Sequence, residues 1–97
     1  MSTAGLDMVL HPPTRLQVAS VLSKVSEAEF ARLKALTGVA DSVLSKHLAA
    51  LAEAGYVTLR KAARDGRQRT WVSLTSAGSA AFAGHVAALQ RLAGGLF

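Results

Sequence analysis

The sequence predicts a mainly α-helical chain that carries one small β-hairpin, an α+β fold in a single domain. Two observations lead there. Apolar side chains recur at steps of three and four over residues 14–54 and again over 76–93, the spacing that lines one face of a helix. Between these stretches the period drops to two on either side of Asp65-Gly66, the pattern of paired strands joined by a tight turn. A length of 97 residues suits one domain, and at that size the core is modest unless a second copy adds to it.

Taken in order, Leu6, Met8, Val9 and Leu10 form a short apolar arm, stopped by His11-Pro12-Pro13, where a proline can also open a helix. From Thr14 to about Val25 the residues Leu16, Ala19, Leu22 and Val25 step by three, joined by Val18 and Val21, and predict a buried amphipathic helix. Ser26-Glu27-Ala28-Glu29 has the form of a capping box, with a short extended segment as the alternative. Either way a second helix starts nearby, carries Phe30, Leu33 and Leu36 inward, and closes at Thr37-Gly38. A third runs from about Asp41 to Ala54 with Leu44, Leu48 and Leu51 on its inner face, and Gly55 ends it. Two helices joined through a tight glycine turn suggest a helix-turn-helix.

Past Gly55, Val57 and Leu59 alternate with Tyr56, Thr58 and Arg60, and Val72 and Leu74 alternate with Trp71 and Ser73. These are two strands, and Ala62 to Gln68 between them forms a long basic tip. Thr75 is placed to cap a last helix bearing a stripe of Phe82, Val86, Leu89 and Ala93, with Leu92 and Leu96 beside it and fraying at Gly94-Gly95. The expected organisation is one domain: an arm over 1–13, a core with its hairpin over 14–75, and a C-terminal helix over 76–97, with no internal repeat.

Eleven Lys and Arg against six Asp and Glu leave a net charge of +5, which points to a polyanionic partner. The absence of cysteine removes disulfides, Cys-based zinc fingers, iron–sulfur ligation and thiol chemistry. No basic segment followed by a long apolar run opens the chain, so the expected location is the cytoplasm. Thr70 to Gln90 carries no Asp, Glu, Lys or Arg, but it is too rich in Ser, Thr, Gly and Ala to be read as a membrane span.

The third helix has a second face. Opposite its leucines, Ser42, Ser45, Lys46 and Ala49 fall together, a small polar surface that would let a helix backbone approach base edges in a major groove while hydroxyls and an ammonium donate. An ordinary solvated face is the alternative for this helix taken alone. The neighbouring hairpin shifts the balance, since Arg60, Lys61, Arg64, Arg67 and Arg69 are opposed there only by Asp65, a charge suited to phosphates.

The order of these elements, with Leu48-Ala49-Ala50-Leu51-Ala52-Glu53-Ala54-Gly55-Tyr56-Val57 before the hairpin and Leu74-Thr75-Ser76-Ala77-Gly78 after it, resembles the winged-helix regulators of the MarR and ArsR type over nearly the whole chain. Leu44-Ser45-Lys46-His47-Leu48 is similar to their recognition-helix signature, which commonly has Arg where Lys46 stands. The resemblance implies a winged helix-turn-helix in which Ser42, Ser45, Lys46 and His47 face double-stranded DNA, His47 gives a ring N–H to a phosphate, and the wing cations grip the flanking backbone. Lysine at position 46 lacks the guanidinium fork that reads guanine bidentately. Asp41 is expected to complement the helix dipole, with acceptance from a cytosine amino group as the alternative.

Where metal-sensing ArsR relatives carry a Cys-x-Cys pair, this chain has Glu29 and Ala31, so no metal is assigned. His11, His47 and His85 lie far apart in sequence, which leaves only a site shared between two copies as a metal arrangement. MarR-type ligand sites sit between longer dimerisation helices and the DNA-binding lobe, so no effector is assigned, and Tyr56 and Trp71 are expected in core or edge packing. A two-fold operator needs two copies, and Leu6 and Val9 of the arm with Phe82, Val86, Leu89 and Leu92 are the apolar surfaces left to join a homodimer.

No Gly-rich phosphate loop, His-Glu-x-x-His or cysteine nucleophile is present, so the chain reads as neither an enzyme nor a cofactor protein. The expected function is a sequence-specific DNA-binding transcriptional regulator, a dimeric repressor on an inverted repeat. The alternative is a winged-helix interaction module inside a larger regulatory complex, which would not require the basic tip. Membrane-surface binding is disfavoured because the basic residues are not interleaved with large apolar ones.

Overall fold

A computed structural model describes residues 4–94. After the arm come α1 (Pro13–Leu22), β1 (Ala28–Glu29), α2 (Phe30–Thr37), α3 (Asp41–Glu53), β2 (Val57–Arg64), β3 (Arg67–Leu74) and α4 (Ser76–Gly94). The sheet is antiparallel in the order β1-β3-β2. Leu10, Val18, Ala19, Leu22, Leu33, Leu44, Leu48, Leu51, Val57 and Val72 form one core, where the three helices of the first half meet the inner face of the sheet. Leu96 lies outside the described residues.

Four local expectations need correction. α1 stops at Leu22, because Ser23 Oγ donates to the Ser20 carbonyl at 2.6 Å and the chain tightens into turns, leaving Val25 47% exposed. Ser26-Glu27-Ala28-Glu29 is not a capping box but the extended segment held as the alternative: Ala28 pairs with Val72 and Glu29 with Trp71, and this ladder holds Glu29 extended with its carboxylate turned to Arg69. Leu36 is not inward but 42% exposed, since α2 is only eight residues long and its core contact is made by Leu33 and Phe30. The basic tip is no long loop: the ladder runs to the Arg64–Arg67 rung, and Asp65 (φ 53°) and Gly66 (φ 76°) alone make the turn, the pair of positive φ angles that matches strand twist. Thr70 to Gln90 is split between β3 and α4, and no helix among the described residues is long and apolar enough to cross a membrane.

Two backbone devices set the relative placement of α3, the hairpin and α4. At the end of α3, Gly55 turns left-handed (φ 80°) and the Tyr56 N–H reaches back to the Leu51 carbonyl at 2.9 Å, satisfying a helix-end acceptor. Thr75 then ties α4 to this corner. Its N–H donates to the Tyr56 carbonyl at 2.9 Å, its hydroxyl donates to the Gly55 carbonyl at 2.6 Å, and the same oxygen caps the Gly78 N–H at 2.9 Å. Gly78 is buried against Tyr56 so closely that a β-carbon there would stand 2.1 Å from the Tyr56 carbonyl oxygen. This is the physical content of the Leu-Thr-x-x-Gly pattern.

The arm is built into the fold. Asp7 accepts the Val9 and Leu10 N–H groups on Oδ1 at 2.9 and 3.3 Å and the Tyr56 hydroxyl on Oδ2 at 2.5 Å, while its own N–H donates to His85 Nδ1 at 2.9 Å. Hydrogen bonding to Asp7, with burial and the charge of Asp7 behind it, raises the Tyr56 hydroxyl pKa above its ordinary 10.0. His85 is fully enclosed on α4 with the His11 ring set edge-on at 5.4 Å. Burial first, then the neighbouring His11, lowers its pKa below 6.5, against the smaller opposing effect of Asp7.

Two outcomes follow. Gly78→Ala drives a methyl into backbone and is expected to cost about 3 kcal/mol, read as the change in urea midpoint at constant m; a loss under about 1 kcal/mol would refute the packing argument. An unfolded chain binds a proton at His85 near pH 6.5 while the folded one resists it, so this residue's contribution to stability is present above pH 6.5 and lost as pH falls. Thermal unfolding between about pH 5 and 8 should show that loss in the native chain and less of it in His85→Asn, which keeps an acceptor for Asp7.

Candidate nucleic-acid interface

α3 is presented by the turn before it. Gly38 closes α2 in the left-handed region (φ 72°), its N–H bonded to the Lys34 carbonyl at 2.8 Å, and Val39 and Ala40 lead directly into α3. Lys34 in the last turn of α2 pairs with Asp41 in the first turn of α3 at 2.7 Å, each charge set against the helix end it complements. Asp41 is thereby engaged as a brace across the turn. With Leu44, Leu48 and Leu51 buried, Ser42, Ser45, Lys46 and Ala49 are exposed together on the opposite face.

His47 lies on a flank of α3, half-buried. Arg15, in the first turn of α1, donates Nε–H to its Nδ1 at 3.0 Å and Nη1–H to the Val9 carbonyl at 3.3 Å. Sequence reading passed over Arg15, because residues 15 and 47 are brought together only by the packing of α1 on α3.

The wing cations divide by their environment. Arg60 pairs with Glu27 at 2.6 Å, Arg69 with Glu29 at 2.5 Å, and the Arg64 guanidinium lies 5.6 Å from the centre of the Trp71 ring. Arg60, Arg64, Trp71 and Arg69 alternate in register with Lys61 and Thr70, so they occupy the outer face of the sheet and Lys61 the face toward α3. The expectation that all five cations form one free patch is therefore refined: Arg69 and Arg60 brace β1 against the hairpin, and Lys61, Arg64 and Arg67 have no carboxylate partner among the described residues. Arg64 and Arg67 stand directly opposite each other on the last rung, an arrangement of like charges that costs stability.

Between α3 and the inner face of the sheet runs an open cleft of about 350 Å³, lined by Phe30, Ser45, Leu48, Ala49, Leu59, Lys61 and Thr70. It joins the exposed face of α3 to the wing. Leu59 is 45% exposed because it sits at this edge rather than in the core. Of the expected dimer residues, Leu6 and Val9 of the arm and Phe82, Val86, Leu89 and Leu92 of α4 are all half-buried, and Tyr56 and Trp71 pack as expected, against the core and on the outer sheet face.

The family model of the winged helix DNA-binding domain matches residues 14–93. The chain belongs to that family. Its fold superposes on a transcriptional regulator homologue from Pyrococcus horikoshii OT3 with a TM-score of 0.85 at 26% identity, over 91% of this chain and 87% of that one. A structure described as a possible transcriptional regulator for arsenical resistance is 32% identical, with a TM-score of 0.64 over 89% of this chain and 90% of that one. An uncharacterised protein of Methanocaldococcus jannaschii is 27% identical over 84 residues, 87% of this chain and 91% of its own length. The winged helix of the MarR and ArsR type, inferred from the sequence, is the fold found, and the chain is a DNA-binding regulator.

Breaking a half-buried ion pair strands the partner charge, whereas removing one of two facing arginines relieves repulsion. Arg69→Ala should therefore lower stability by about 1–2 kcal/mol in urea unfolding, and Arg67→Ala should leave it unchanged or slightly raised. Equal losses in the two variants would contradict this division of the wing.

Proposed function

We propose that this winged helix acts as a homodimeric repressor that reads an inverted repeat. α3 enters the major groove, the β2–β3 wing reaches the adjacent minor groove, and the sugar-phosphate strand between the two lies over the cleft. The observation that carries this reading is the cleft itself, because Ser45 of the reading helix and Lys61 and Thr70 of the sheet border a single channel. Two hydroxyls and an ammonium there suit phosphate oxygens, while Ala49 and Leu59 offer apolar contact to deoxyribose. Ser42 and Lys46 face the base edges, and Arg64 and Arg67 at the wing tip meet phosphate charge that offsets their mutual repulsion. The half-buried stripe on α4 and the arm residues Leu6 and Val9 support pairing with a second copy, which would set two α3 helices roughly 34 Å apart on one face of the duplex. Occlusion of polymerase is the simplest mechanism of repression for that arrangement.

The test is selection of genomic fragments by the purified protein, beside a Ser45→Ala/Lys46→Ala variant. The native chain should retain fragments sharing an inverted repeat and the variant should not. Lys61→Ala and Arg67→Ala should each reduce the slope of log affinity against log salt by about 1 without changing the selected sequence. Unselected DNA retained by both native and double-variant proteins would rule out reading by α3.

A further inference from the structure

We infer that Arg15 is a positioning residue of the DNA interface, fixing the His47 imidazole so that its Nε2–H points to a backbone phosphate. This rests on the reading of α3 as the groove helix. At 100° per residue, His47 and Ser45 border opposite flanks of the leucine stripe, so the cleft serves one flank and His47 the other. A helix lying in a major groove has a phosphate strand on each side. Lys61 and Thr70 serve the first, and nothing yet described serves the second.

The geometry dictates what His47 can do there. A guanidinium only donates, so the Nδ1 that receives Arg15 Nε–H carries no proton, and the ring's single proton sits on Nε2. That Nε2 has no hydrogen-bond partner among the described residues and is not one of their enclosed polar atoms, on a residue that is itself half-buried. The guanidinium is itself held on its other side, by Nη1–H to the Val9 carbonyl, and its stem is fixed in the first turn of α1. A ring clamped in one tautomer and one orientation meets a phosphate oxygen without losing rotamer freedom on binding, which is the advantage of a prearranged donor over a mobile lysine. A helix face of Ser, Ser and Lys supplies flexible donors, and His47 supplies the rigid one.

The contact is to phosphate, so a mixed-sequence DNA duplex at low salt is a sufficient probe, read by anisotropy for the full chain. Arg15→Met, which keeps the length of the side chain and removes its donors, should weaken binding about five- to tenfold, and His47→Ala should match it. His47→Gln places an amide N–H near the position of Nε2 and should bind within about twofold of the native chain. In that background Arg15→Met should add no further loss. Nitrogen-15 spectra of the free protein should show a coupling across the hydrogen bond between Arg15 Nε and His47 Nδ1, with the ring proton on Nε2, and Arg15→Met should abolish the coupling; a residue that merely supports the fold would not produce that signature. Should Arg15→Met fail to fold, the native coupling and the contrast between His47→Ala and His47→Gln decide the matter.

An equal loss for Arg15→Met with and without His47→Gln would make Arg15 a phosphate ligand in its own right and overturn the inference. So would native affinity in His47→Ala, or a ring protonated on Nδ1. If the native chain fails to bind any duplex, the groove-helix reading falls and this inference with it. If native binding is lost in Ser45→Ala/Lys46→Ala but not in Arg15→Met or His47→Ala, only this inference falls.

Discussion

The corner at Tyr56 governs how the rest of this molecule can meet a ligand. α3 ends there in a left-handed glycine, β2 leaves from the next residue, and the start of α4 is tied to the same carbonyl through Thr75. Gly78 closes the corner, because only a residue without a β-carbon lets α4 press against the Tyr56 backbone. Apart from the Thr75 hydroxyl these are backbone contacts, and none uses a side chain of the outer face of α3 or of the wing tip. α3, the wing and the C-terminal helix are therefore fixed relative to one another without the use of Ser42, Ser45, Lys46 or Arg67. The molecule is elongated: its longest extent is 53 Å and its radius of gyration is 14.4 Å, against about 12.5 Å for a compact chain of this length.

The sheet separates structural from exposed charge by its two faces. On the outer face, Glu27 and Glu29 bring carboxylates from the β1 segment to Arg60 and Arg69, so a strand of only two residues is held by side chains as well as by its ladder. Towards α3 the same hairpin shows Leu59, Lys61 and Thr70 with no acid among them. At the tip, two arginines face each other across a two-residue turn, which a chain selected for stability alone would avoid. Net charge thus measures less than placement does. Of the cations that make the wing basic, Arg60 and Arg69 hold the sheet, and the proposed phosphate contacts fall to the others.

Most of this was legible from the sequence where one rule sufficed. Leu44, Leu48 and Leu51 had no alternative to the core, Gly55 and Gly38 ended helices as glycines do, and Thr75 capped α4 through its own hydroxyl. The misreadings came where two rules competed. Ser26 to Glu29 satisfies the spacing of a capping box, but β3 offered the backbone of Ala28 and Glu29 a ladder, and Arg69 offered Glu29 a charge, neither visible without the sheet register. Val25 and Leu36 continue apolar periodicities past the point where the core reaches them. Asp65-Gly66 identified a turn but not how far the strands would run toward it. The site divides in the same way: the α3 face follows from helical spacing alone, whereas the Arg15–His47 contact and the loss of Arg60 and Arg69 to glutamates depend on tertiary neighbours.

The arm shows why such neighbours matter for function. The sequence marked it as a short apolar segment that packs without showing against what, and Asp7 joins it to its own turn, to Tyr56 at the corner and to His85 inside α4. The His85 Nε2–H is enclosed without an acceptor among the described residues, a cost of about 1–3 kcal/mol that the hydrogen bonds around Asp7 and the burial of Leu10 together offset. From the docked arm, the Val9 carbonyl holds Arg15, and Arg15 holds His47. Each link is a single hydrogen bond, and the one to Val9 is long at 3.3 Å, so the connection has the strength of that weaker member. If the proposed second copy packs on Val9, it would press on a segment whose far end orients a side chain of α3, and by reciprocity the energy spent there would be returned if DNA held that side chain in place.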